Sequence, residues 1–301
     1  MKKLYIILSL ILLTLNLSSC SNQNSKFTIT FIDVGQGDAA LVECDGHYML
    51  IDGGNKQASD KIRDTLQNKK IKKLDILAIS HFDDDHFAGL CEGLKNIHKI
   101  KKTISNEIPK ETKESISKFK HQLSIIGSSI DVPSVGDTYE LGSAEVEVVD
   151  VCAKDDNDSL VLLITYGNTR FLFTGDIEYE AQKRIYKKYY DKYGYSYTYK
   201  INLMKMPHHG SYSSTTNGTT NSYTAFVELF MPDYVVISVG EGNPYKHPHE
   251  KTLELLEQAG AKVYRTDKDG DIIVKSNGNE LSIETNPSNS KNTGWKINIR
   301  M

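Results

Sequence analysis

The segment Ser80-His81-Phe82-Asp83-Asp84-Asp85-His86 follows directly on a mostly apolar run, Leu74-Asp75-Ile76-Leu77-Ala78-Ile79. That run predicts a strand entering a core. The segment after it cannot be buried in the same way. Five of its seven side chains are imidazoles or carboxylates, and buried charge is costly unless it is paired or metal-bound. The fold must therefore deliver this cluster to the edge of a sheet. Alternation along an extended backbone sends His81 and Asp83 to the same side, while Asp85 and His86 come from the turn into the next helix. Two ligand pairs at one strand end can hold two metal ions side by side, and imidazole with carboxylate suits divalent transition metals.

Two further segments repeat the arrangement. Phe171-Leu172-Phe173-Thr174-Gly175-Asp176 is an apolar strand ending in a carboxylate, and Met206-Pro207-His208-His209-Gly210 ends another in histidines. Around them, alternation predicts strands at 27–32, 39–43, 47–51, 138–141, 144–151, 160–166, 170–174, 203–206, 234–239, 262–265, 271–275 and 281–285. Helices are expected over 59–68, with Ser59 as cap, and around 90–97, 178–192 and 252–258. Residues 103–128 read as a mobile or weakly helical connection. Runs of strands with helices between them predict an α+β architecture of two packed sheets with helices outside. One domain is expected over 27–285, followed by a polar tail at 286–301.

The amino terminus reads as a lipoprotein signal peptide over 1–19: Lys2 and Lys3, an apolar stretch at 4–17, then Leu17-Ser18-Ser19-Cys20. Cleavage makes Cys20 the lipidated terminus, with 20–26 as tether, and more than one acyl chain anchors the protein firmly. The expected location is the outer face of a bacterial cell membrane. The mature chain then has 301 − 19 = 282 residues and a net charge of 34 − 39 = −5. An acidic balance counts against strong non-specific nucleic-acid binding and favours a small or single-stranded substrate over long duplex. Cys44, Cys91 and Cys152 show no zinc-ribbon spacing and are expected as buried free thiols. A monomer without a protein partner is expected.

The segment His81 to His86 resembles the signature of the metallo-β-lactamase fold, with Asp83 where most members carry histidine. Its His-x-Asp-x-Asp-His form is similar to that of the C-terminal hydrolase domain of ComEC-type competence DNA-uptake proteins. The same subfamily pattern continues through Asp33-Val34-Gly35-Gln36-Gly37-Asp38-Ala39, Asp52-Gly53-Gly54, Asn157-Asp158-Ser159-Leu160, Thr174-Gly175-Asp176 and Pro207-His208-His209-Gly210-Ser211. It ends with Asn243-Pro244-Tyr245-Lys246-His247-Pro248 and Arg265-Thr266-Asp267. The resemblance implies a four-layer αββα fold of two mixed sheets packed face to face. It also implies two divalent metal ions, with His81 and Asp83 on the first, Asp85 and His86 on the second, and Asp176 between them. One of His208 and His209 completes a site and the other serves as general acid. The position that usually supplies another histidine reads Asn157-Asp158-Ser159, so Asn157, Ser159 or water fills that place.

Charge sharpens the chemistry. Two divalent ions carry +4, against −3 from Asp83, Asp85 and Asp176 and −1 from a bridging hydroxide. A neutral, oxygen-rich site suits zinc and also admits manganese or iron. Such ions lower the pKa of a bound water and polarise a phosphoryl oxygen; His208, His209 and His247 are the candidates to protonate the leaving group. Asp38 or Asp52 can orient ligand histidines, and Asp84 can sit behind them. The tyrosines and lysines of 186–200 are expected to pack on the core, with base stacking as the other reading. The expected function is a surface-anchored metal-dependent phosphodiesterase or nuclease acting on extracellular DNA or nucleotides. Two readings stand beside it: an esterase of cell-wall phosphodiesters such as teichoic acids, and a non-catalytic metal-binding surface protein.

Overall fold

The computed structural model describes residues 27–110, 113–151, 159–194, 198–212 and 222–286. In chain order its elements begin β1 (Phe27–Phe31), β2 (Ala40–Cys44), β3 (His47–Ile51), α1 (Ser59–Asn68), β4 (Lys73–Ile79), α2 (Asp84–Phe87), α3 (Leu90–Gly93), β5 (Lys99–Ser105), α4 (Glu114–Ile126) and β6 (Ile130–Asp131). They continue with β7 (Thr138–Leu141), β8 (Ala144–Asp150), β9 (Val161–Tyr166), β10 (Thr169–Phe173), α5 (Tyr179–Tyr193), β11 (Leu203–Lys205), α6 (Ser222–Phe230) and β12 (Tyr234–Ile237). The last are α7 (Glu250–Gln258), β13 (Lys262–Arg265), α8 (Thr266–Asp269), β14 (Asp271–Ser276) and β15 (Leu281–Asn286).

Two mixed sheets result, in the orders β15-β14-β1-β2-β3-β4-β5-β6 and β13-β12-β11-β10-β9-β8-β7. Each combines an antiparallel part with a parallel one. Hairpins join β1 to β2 and β2 to β3, and then β3, β4, β5 and β6 run parallel. In the second sheet β7 to β10 are antiparallel, after which β10, β11, β12 and β13 run parallel. Parallel neighbours need crossovers, which here carry helices. The parallel strands of both sheets bring their carboxyl ends to one edge, where the polar segments after β4, β10 and β11 lie.

The sheets pack face to face. Alternation along β1 turns Phe27, Ile29 and Phe31 inward, where they meet the inner face of the second sheet. Phe27 stacks on Tyr166 and Phe171 with ring centroids 4.9 and 4.8 Å apart, and Phe31 on Phe173 at 5.6 Å. A second apolar layer under α1, α3 and α4 covers the outside of the first sheet. A third, under α5, α6 and α7, covers the outside of the second. This is the layered α+β architecture that the strand pattern predicts.

The structure departs from the sequence reading in several places. Residues 103–128 hold the end of strand β5 and the whole of helix α4. The helix buries Ile116, Phe119, Leu123 and Ile126 at helical spacing and stops at Gly127, whose φ of 75° is left-handed. Of the helix expected around 90–97 only the single turn α3 forms, over Leu90–Gly93, and the separate turn α2 precedes it. Ser59 does not cap α1; the cap belongs to Asn55, whose side chain accepts from the Gln57 and Ala58 amides in a preceding 3-10 turn. Helix α6 went unread in the sequence.

Candidate metal centre

Four strand ends build the site. Asp52 follows β3, Ser80 and His81 follow β4, Asp176 follows β10 and His208-His209 follow β11, while Asp85 and His86 come from α2. Asp176 reaches its place through Gly175, with φ 55°, where a Cβ would lie 2.6 Å from the Ser159 side chain. Only glycine fits that turn. His208 and His209 are both left-handed, with φ of 47° and 53°. Consecutive non-glycine residues in this region cost on the order of 1–3 kcal/mol each, and such strain concentrates at functional sites.

Three imidazoles converge. His86 Nδ1 lies 3.0 Å from Asp52 Oδ2, while its Nε2 is 3.3 Å from Asp176 Oδ2. His209 Nδ1 donates to the Ser238 carbonyl at 2.8 Å; its Nε2 is 3.3 Å from Asp176 Oδ2 and 3.4 Å from Asp85 Oδ2. His81 Nδ1 is 3.0 Å from Ser80 Oγ, and its ring lies 4.1 Å from that of His86. The Nε2 atoms of His81, His86 and His209 are buried and lack a hydrogen-bond partner. Leaving such atoms unsatisfied is costly, and an outer partner on Nδ1 is how proteins aim Nε2 at a metal. The donor set fits divalent ions. Ligating atoms of His81, His86 and Asp176 lie within 4.8 Å of one another, as do those of Asp85, His86 and His209.

The electrostatics agree. Burial opposes charge on His86 and His209, but Asp176 and then Asp38 outweigh it and hold both imidazole pKa values well above the usual range. Burial likewise works against the charge on Asp85, yet His209 and His86 pull its pKa far below the usual carboxylate value. The carboxylates thus favour positive charge in the pocket, whether on the imidazoles or on a bound ion.

His209 is the buried member of the histidine pair. His208 is 23% exposed, with Nε2 3.9 Å from Asp176 Oδ2 and Nδ1 3.2 Å from Glu178 Oε1. His247 lies with its ring 5.6 Å from that of His208, but burial and then His209, His208 and His249 push its pKa down to about 4. That depression disfavours the protonated form a general acid needs. Asp83 is 54% exposed and 3.7 Å from His81 Nε2, so it flanks the first group from the open side. Asp84 points away and accepts from Ser115 Oγ in the direction of α4. Ser159 is not placed as a ligand: its hydroxyl accepts from the Asp176 amide at 3.0 Å and lies 3.4 Å from His81 Nδ1. Asn157, Cys20 and Cys152 lie outside the described residues. Tyr189 packs on Tyr199 and Phe230, as the core reading of that stretch expects, whereas Tyr190 and Tyr193 are exposed.

One residue was missed altogether. Lys205, at the end of β11, is buried against Asp38 and Asp176. The signal was present, a single lysine between Met204 and Met206 directly before the histidine pair.

The chain matches the model of the metallo-beta-lactamase superfamily over residues 32–240. It is 30% identical over 275 residues to ComE operon protein 3 of Bacillus subtilis (strain 168), covering 83% of this chain and 33% of that protein. It is 28% identical over 247 residues to competence protein ComA of Neisseria gonorrhoeae, covering 82% and 32%. The chain thus spans about a third of the length of the curated relatives it matches. The solved metallo-beta-lactamase fold protein YhfI of Bacillus subtilis superposes with a TM-score of 0.54 at 11% identity, over 84% of this chain and 100% of that one, a likeness of fold. The competence-protein resemblance carried by the motifs is borne out.

Proposed function

Because this chain belongs to the metallo-beta-lactamase superfamily, we propose that it is a metal-dependent hydrolase of phosphodiesters, with extracellular DNA or nucleotides as substrates. One observation carries the metal-dependent part: three buried histidines have unpartnered Nε2 atoms, those of His86 and His209 facing Asp176 and that of His81 facing Asp83. The relation to competence proteins supports the phosphodiester part. Divalent ions in such a site supply a water of lowered pKa and a Lewis acid for the phosphoryl oxygen.

The chain's own groups divide the remaining work. His81, His86, His209, Asp85 and Asp176 form the holding set, with Asp83 on the open side. Asp52 and the Ser238 carbonyl fix two of the imidazoles by their Nδ1 atoms. His208, the partly exposed imidazole beside Asp176, would protonate the departing oxygen.

The test is metal analysis of purified protein together with turnover of bis-p-nitrophenyl phosphate and single-stranded DNA. Asp85→Ala and Asp176→Ala should abolish turnover. His209→Ala should lose metal, whereas His208→Ala should keep metal and lose about 10²–10⁴-fold in kcat. Full activity in both aspartate variants, or a wild type that binds no metal and turns over neither substrate, would refute the reading.

A further inference from the structure

Among the described residues Lys205 is the sole buried lysine, 3% exposed. Its ammonium has three protons and three oxygens around it. It is ion-paired with Asp38 Oδ2, donates to the Gly175 carbonyl at 3.0 Å, and lies 3.5 Å from Asp176 Oδ1. A buried ammonium persists only when paired this fully.

What these oxygens do next gives the lysine its role. With Asp176 Oδ1 taken, Oδ2 is the oxygen turned to the imidazoles, 3.3 Å from both His86 Nε2 and His209 Nε2 and 3.9 Å from His208 Nε2. Asp38 faces the far side of the same rings. Its Oδ1 is 3.3 Å from His209 Nδ1 and its Oδ2 is 3.8 Å from His86 Nδ1. One ammonium therefore touches, directly or through Asp38, three members of the holding set. The backbone shares in this, since Thr174 Oγ1 donates to the Lys205 carbonyl at 2.8 Å and ties the end of β10 to that of β11.

We propose that Lys205 is a positioning residue of the metal centre. It holds Asp176 with Oδ2 presented to the histidines and, through Asp38, steadies the rings of His86 and His209. The inference rests on the metal-dependent reading above. A simpler role, neutralising Asp38, makes the opposite prediction. Deleting a positive charge beside a cation site should tighten metal binding on electrostatic grounds alone, whereas deleting a positioning group should weaken it.

The measurement is calorimetric titration of full-length protein, stripped of metal by chelation, with Mn²⁺. Lys205→Met should bind at least one equivalent about 10–100-fold more weakly, the range that loss of such outer contacts produces. Binding that is unchanged or tighter would overturn the proposal. Lys205→Met combined with Asp38→Asn removes the Asp38 charge that the single variant would strand and keeps the local net charge, so it should fold even if the single variant does not. It should show the same loss; wild-type affinity there would equally overturn it. A wild type that takes up no Mn²⁺ would remove the metal reading itself, and the proposal with it.

Discussion

Asp33 sits buried beneath the turn that leads to Asp38, its Oδ1 accepting from the Gly35 amide at 3.2 Å and its own amide donating to Asp271 Oδ1 at 2.8 Å. Burial pushes its pKa from 3.8 up to about 6, against the Gly35 bond and with help from the Asp271 charge. The native state therefore holds this proton more tightly than the unfolded chain does. The contribution to stability is full below about pH 4 and is lost as pH rises through about 6. Asp33→Asn keeps the acceptor oxygen and cannot ionise. Its melting temperature should match the wild type near pH 4 and exceed it above pH 6; the reverse order would show that the carboxylate is stabilising when charged. Residue identity made much of the site legible, because His81, Asp85, His86 and Asp176 are ligating types standing where strands stop. Lys205 and Asp38 were less legible. A lone charge in an apolar strand and an acid in a glycine-rich turn look alike whether they face solvent or a centre. The choice between His208 and His209 depended on two left-handed backbones that nothing in their side chains reveals.

At the scale of elements, the turn between β1 and β2 lies against α2. Asp38 N donates to the Asp85 carbonyl at 3.1 Å, and Gly37, with φ 138°, lies so close that a Cβ would be 2.2 Å from that carbonyl oxygen. Gly37→Ala should shift α2, weakening metal binding and lowering stability. Gly127 ends α4, also at positive φ but with nothing within 4 Å of a Cβ. Gly127→Ala should cost about 1–2 kcal/mol for its left-handed backbone and leave metal binding alone. Denaturant midpoints should place Gly37→Ala about 1–3 kcal/mol below it, the size of an overpacking penalty; equal costs would mean that the turn is not a support of the site. Most elements were readable because their periodicity is clean. Strand β5 was not, since Thr103 and Ser105 are buried polar residues, and Thr103 finds its partner in Ser128. Such satisfied polar groups look like loop in a sequence. Helix α6 follows a Ser, Thr and Asn stretch and is rich in aromatic residues of modest helix propensity.

For the molecule as a whole, the site draws on both sheets. His81, Asp85 and His86 follow β4, whereas Asp176 and His209 follow β10 and β11 of the facing sheet. Bound metal should therefore clamp the two layers together. At a free metal concentration 100 times Kd the gain is about 2.7 kcal/mol per site, which scanning calorimetry with and without chelator would register as a higher melting temperature. A melting temperature indifferent to metal would mean that the ligands do not close across the sheets. The two-sheet plan was legible as runs of strands broken by helices, but their facing edges, where the ligands meet, emerge only from pairing between distant segments. That division also sets an order in time. A ribosome finishes His86 long before it reaches His209, 209 − 86 = 123 positions later. Until Asp176 is made, His86 lacks the carboxylate that stands 3.3 Å from its Nε2 in the folded chain. If the site binds metal as proposed, tight retention would belong to the finished molecule alone, and uptake of an ion would mark the closing of the two halves.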